Sequence, residues 1–68
     1  MFAKVYQITA IIEKNIGYVK EARANGLGDD QYFADMESRI KHSLERLKKE
    51  STNKRLVTKY EKMVSEVF

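Results

Sequence analysis

The sequence predicts an all-α protein: a small three-helix bundle, or a helical hairpin with a third helix folded over it, completed by dimerisation. Three observations carry this. Large apolar residues recur at steps of three and four along almost the whole chain, which is the period of one helical face. Residues that cap and end helices interrupt the pattern in two places, at 25–30 and at 51–53. Proline is absent, so no residue inside the three segments lacks the backbone donor a helix needs.

Helix 1 is expected over about residues 3–25. Val5, Ile8, Ile11, Ile12, Ile16 and Val19 form a nearly all β-branched stripe, continued by Ala22. These positions do not alternate over any useful length, which excludes a strand. Gly26 suits the left-handed residue that ends a helix, with Leu27 folding back on Ala22 in a Schellman motif. Gly28 loosens the turn. Asp29 and Asp30 then supply the cap and acidic first turn of helix 2, where negative charge meets the positive end of the helix dipole.

Helix 2 is expected over about residues 30–50, with Phe33, Met36, Ile40, Leu44 and Leu47 on one stripe. Lys48 and Lys49 complement its far end. Asp35/Arg39, Glu37/Lys41 and Glu45/Lys49 are spaced for surface ion pairs. Helix 3, over about 54–67, carries Leu56, Tyr60, Met63 and Val67, broadened by Val57, Val64 and Phe68. In one unbroken helix the second and third stripes would lie more than about 100° apart and could not bury against the same neighbour. Ser51, Thr52 and Asn53 compete for nearby backbone groups, so the chain reverses there, with Thr52 or Asn53 as the cap of helix 3. The alternative is one rotated or kinked helix whose stripes feed different subunits.

The 68 residues make a single domain, 1–68. A chain this short buries only about 60% of the surface its unfolded form exposes, and such scaffolds usually need a staple. Cysteine is absent and His42 is the sole histidine, which excludes disulfides and argues against a metal or other cofactor. Association is the staple that remains, so a homo-oligomer, most simply a dimer, or a complex with another protein is expected. No apolar run approaches the roughly 20 residues of a membrane span. The N-terminal residues lack the order of a signal peptide, and the expected location is the cytoplasm.

Helix 1 has a second face. Ala3, Ala10, Gly17 and Ala24 stand seven apart, opposite or nearly opposite the isoleucine stripe, with Tyr6 beside them. Glycine inside a helix costs about 1 kcal/mol relative to alanine, so Gly17 calls for a reason. Small residues on one face let another helix approach closely, and these five residues form a candidate protein interface. Tyr6 and Tyr18 are placed for an outer surface, Tyr32 and Tyr60 for the core edge.

Charge is uneven. Residues 1–38 hold four basic and six acidic side chains, a balance of −2, whereas residues 39–68 hold nine and four, a balance of +5. On helix 3, Arg55, Thr58, Lys59 and Lys62 share the face opposite the apolar stripe and form a candidate nucleic-acid contact through phosphates. Glu61 and Glu66 interrupt that surface, the cations of helix 2 are scattered, and a net +3 is modest.

No catalytic constellation is evident. His42 falls on the solvent side of helix 2, Asp29 and Asp30 serve as caps, and Gly26-Leu27-Gly28 lacks the lysine and preceding strand of a phosphate loop. The expected function is a non-enzymatic protein–protein interaction or small regulatory module, homodimeric. The alternatives are a small basic nucleic-acid-binding protein using the C-terminal helix, and a structural subunit of a larger assembly.

Overall fold

The computed structural model describes residues 2–68, with side chains from Lys4 onward. It contains α1 (Phe2–Ala24), α2 (Asp30–Glu50) and α3 (Lys54–Val67) and no strand among the described residues.

The ends of the helices follow local chemistry. After α1, Leu27 N–H donates to the Ala22 carbonyl at 2.8 Å and Gly26 N–H to Arg23 at 3.3 Å, the two bonds of a Schellman motif. Gly26 takes φ +67° to make them. Gly28, at φ +90°, does a second job: a Cβ there would lie 2.9 Å from Tyr32 Cδ2 and 3.1 Å from Phe33 Cζ. The loop can therefore lie flat on the first turn of α2 only because residue 28 has no side chain. Asp29 caps α2 by accepting from Tyr32 N–H at 2.8 Å.

Between α2 and α3 the chain is extended at Ser51 and Asn53. Ser51 N–H closes α2 on the Leu47 carbonyl. Asn53, not Thr52, caps α3, its Oδ1 accepting from Arg55 and Leu56 N–H at 3.1 and 3.2 Å. Helices α2 and α3 are thus separate elements, as the mismatch of their stripes requires.

The three helices run up, down and up. Arg23 of α1 meets Phe33 at the start of α2 and Phe68 at the end of α3, with its guanidinium 5.4 and 5.5 Å from the two rings. It also donates to the Val67 carbonyl. Tyr60 of α3 donates to Glu13 Oε1 of α1 at 2.9 Å, so α3 lies parallel to α1. The most extensive packing is α1 on α2, in a body of 37 × 17 × 15 Å.

One core closes inside the chain. It joins Ile8, Ile12, Ile16 and Val19 of α1 to Met36, Ile40, Leu44 and Leu47 of α2 and to Tyr60, Val64 and Val67 of α3. Ile11, expected in this stripe, is not in it. Residues turn by about 100° each, and the core is centred on Ile12 and Ile16, which carries Ile11 round to solvent. Thr9 occupies the other flank of the stripe and is buried. Its hydroxyl donates to the Tyr6 carbonyl at 3.0 Å, which satisfies the polar group without a distant partner.

Of the three expected ion pairs on α2, Glu37–Lys41 forms at 2.8 Å. Asp35 instead accepts from Gln31 Nε2 at 2.9 Å, and Lys48 crosses to Glu61 of α3 at 3.5 Å. Asp35–Arg39 and Glu45–Lys49 are not paired among the described residues. Solvated pairs of this kind are worth under about 1 kcal/mol, so either arrangement fits the same fold.

Candidate protein interface on the outer face of helix 1

Among the described residues, α1 is the one helix with large apolar side chains on both its buried and its exposed side. Its inner face supplies a third of the core. On its outer face Ala10, Gly17 and Ala24 are exposed, and a Cβ built on Gly17 would meet nothing within 4 Å. Among the described residues none uses the space this glycine leaves. The side chain of Ala3, the first residue of the seven-residue series, lies outside the described residues.

Around this strip stand the large apolar residues that the fold leaves in water: Tyr6 at 74% exposure, Ile11 at 45% and Tyr18 at 46%, followed by Leu27 at 63% in the turn after α1. All of the exposed large hydrophobics among the described residues belong to α1 or to its C-terminal turn. Scattered single residues of this kind are ordinary, but their concentration on one helix makes its outer face the candidate interaction surface. Lys14 lies on the same face, with its Nζ 5.9 Å from the Tyr18 ring.

The sequence pattern located the small residues and set Tyr6 and Tyr18 on an outer surface, but it missed one member of the face, Ile11. Ile11 was hidden because it sits beside Ile12, and a run of two isoleucines reads as one broad stripe. A signal for Ile11 was there to be used: it precedes the outer-surface Tyr18 by seven residues, just as Ala10 precedes Gly17.

The candidate basic face lies on the outer side of α3. Arg55, Thr58, Lys59 and Lys62 are all exposed and, with Lys54, line one shallow depression. None of its four cations forms an ion pair among the described residues; the pairs that form are Lys41–Glu37 and Lys48–Glu61. Lys59 Nζ lies 5.6 Å from the Tyr60 ring. The two candidate faces share no residue.

Tyr60 joins α3 to α1 through a polar contact at the edge of the core. Burial pushes its hydroxyl above the usual tyrosine range, and the hydrogen bond to Glu13 and the charge of that carboxylate push the same way, while Thr9 opposes them. A protonated tyrosine donating to a carboxylate is a clamp between helices. His42 is exposed. Among the described residues no three His, Cys, Asp or Glu side chains converge as a metal site would require, and no helix is long and apolar enough to cross a membrane.

Compared with protein families, curated proteins and solved structures, the chain matches none.

Proposed function

We propose that this chain is a non-enzymatic protein–protein interaction module that works as a homodimer, with the outer face of α1 as its contact surface. The observation that supports this reading is the confinement of Tyr6, Ile11, Tyr18 and Leu27 to one helix and its turn. A core that closes within the chain has no use for them. Burying such side chains is worth roughly 1.5–3 kcal/mol each when complete, and a partner collects that energy where the monomer does not. The small residues Ala10, Gly17 and Ala24 let the partner's backbone come close, and tyrosines beside them suit an interface because they offer apolar area with a polar tip.

The variants Gly17→Leu and Ala10→Glu test this. Both side chains enter open solvent in the isolated chain, so helicity and thermal unfolding of the monomer should hold, whereas association should weaken at least tenfold. Unchanged association in both variants would remove the reading.

A second reading rests on the unpaired cations of α3. A dimer carrying Arg55, Lys59 and Lys62 on each copy would offer two basic faces to duplex nucleic acid. Its signature is binding that falls steeply with salt and drops on charge reversal at Lys59 and Lys62; binding that ignores both would exclude it. The assembly-subunit reading differs from these by predicting polymers that grow with concentration.

A further inference from the structure

We infer that the occupant of the outer α1 face is a second copy of this chain, lying antiparallel to the first, with the two-fold axis passing between Gly17 and Tyr18. This rests on the reading of that face as the homodimer contact and adds the direction and register in which the two copies meet.

The inference comes from the order of side chains across the face. At about 100° per residue, Lys14 and Glu21 fall nearly on one line along the outside of α1, and both are exposed. On one side of that line run the small residues Ala10, Gly17 and Ala24; on the other run Ile11 and Tyr18. Each column repeats by seven, so it keeps to the same face over two turns.

Lys14 and Glu21 are the charges on the centre line of the face, and their midpoint fixes the register in which each meets its opposite. Lys14 stands three residues before Gly17, and Glu21 stands three residues after Tyr18. A two-fold axis between Gly17 and Tyr18 therefore sets Lys14 level with the partner's Glu21, and Glu21 level with the partner's Lys14. Opposite charges meet twice in one symmetric contact, which is what a self-complementary surface requires.

The flanking columns agree with that axis. In an antiparallel pair each flank of a helix meets the same flank of its partner. Gly17 then lies against the partner's Gly17, and Ala10 against the partner's Ala24, where the absence of bulk allows a short distance between helix axes. On the other flank Tyr18 meets the partner's Tyr18. A parallel pair would instead set Lys14 beside the partner's Lys14 and Glu21 beside the partner's Glu21, which is repulsive at both points. Between the two directions open to a homodimer, the charge pattern thus favours the antiparallel one.

The test uses the full chain with Lys14→Glu and Glu21→Lys, alone and mixed, by sedimentation at low salt. Both positions are exposed, so the fold of each variant is expected to survive, as circular dichroism would verify. Each variant alone should dimerise roughly tenfold less tightly than wild type, because two attractive pairs become repulsive. An equimolar mixture should form a heterodimer at least as tight as the wild-type dimer, since every facing pair is then attractive.

Wild type that stays monomeric into the millimolar range would overturn the homodimer reading and this register with it. A dimer broken by Gly17→Leu but indifferent to the charge variants and their mixture would overturn the antiparallel register alone. A dimer indifferent to Gly17→Leu as well would overturn the register and the contact face together.

Discussion

Helices α1 and α3 lie parallel in the same bundle, yet they spend their apolar residues differently. In α3 every large apolar side chain turns inward: Tyr60, Val64 and Val67 are buried, and Leu56, Val57 and Met63 are half-buried. Its outer side is Lys54, Arg55, Thr58, Lys59 and Lys62, a surface suited to water. Helix α1 buries Ile8, Ile12, Ile16 and Val19 in the same way and still displays Tyr6, Ile11 and Tyr18 outside. The difference separates two demands on a helix. Packing the monomer needs one stripe, and α3 supplies that and nothing more. The second stripe of α1 is surplus to the packing of the monomer, and the proposed association would give it a use.

The sharpest way to break this comparison is to remove neighbouring isoleucines. Ile12 is fully buried and Ile11 is not, although they are adjacent and chemically identical. Ile12→Ala should cost about 2–5 kcal/mol of stability by leaving a cavity, a large share of what a domain of this size possesses. Ile11→Ala should stay within about 0.5 kcal/mol in the monomer while weakening association. Denaturant titrations at micromolar concentration separate the two; equal losses would place both residues in the core and erase the distinction between the faces.

The glycines sharpen the same point. Gly28 takes φ +90° against Tyr32 and Phe33, so Gly28→Ala should destabilise by about 1–3 kcal/mol through backbone strain and crowding. Gly17 is helical with open space around it, so Gly17→Ala should stabilise the isolated chain by up to about 1 kcal/mol. A rise in the midpoint of thermal unfolding together with weaker self-association would show a glycine kept for a partner at a cost to the fold. A fall in the midpoint would mean that Gly17 serves the monomer.

A smaller effect probes the seam between the two compared helices. Tyr60→Phe removes the hydrogen bond to Glu13 and should cost about 1 kcal/mol at neutral pH. The pH dependence has a defined sign. The folded hydroxyl holds its proton above the ordinary value of 10.0, so the folded state binds the proton more tightly than the unfolded state does. The contribution is complete below pH 10 and is lost as pH rises through the higher folded value. Wild type and Tyr60→Phe should therefore converge in stability under alkaline conditions; a gap that stays constant from pH 9 upward would contradict the clamp.

Much of this architecture was legible in the residues. The Gly26-Leu27 stop, the Asp29 cap and the reversal at Ser51–Asn53 are set by short-range chemistry, and each stands where the pattern places it. What periodicity could not resolve was the centre of the α1 stripe. Val5, Ile8, Ile11, Ile12, Ile16 and Val19 span a wide arc, and only the positions of α2 and α3 decide that Thr9 is buried and Ile11 exposed. The ion pairs were uncertain for a related reason: long exposed side chains choose among partners nearly equal in energy, as Asp35 does in taking Gln31. The outer face of α1 was largely visible, because small residues at a spacing of seven stand out with Tyr6 and Tyr18 beside them, and Ile11 alone was credited to the core.

The most direct measurement is the solution mass of the wild-type chain by light scattering, from micromolar to millimolar concentration and at low and high salt. A contact face on α1 built chiefly from apolar and small residues predicts a rise from the 8.0 kDa of one chain to twice that mass, retained at high salt. A mass that stays at 8.0 kDa throughout would contradict the homodimer and show that the three stripes, closed on themselves, are sufficient.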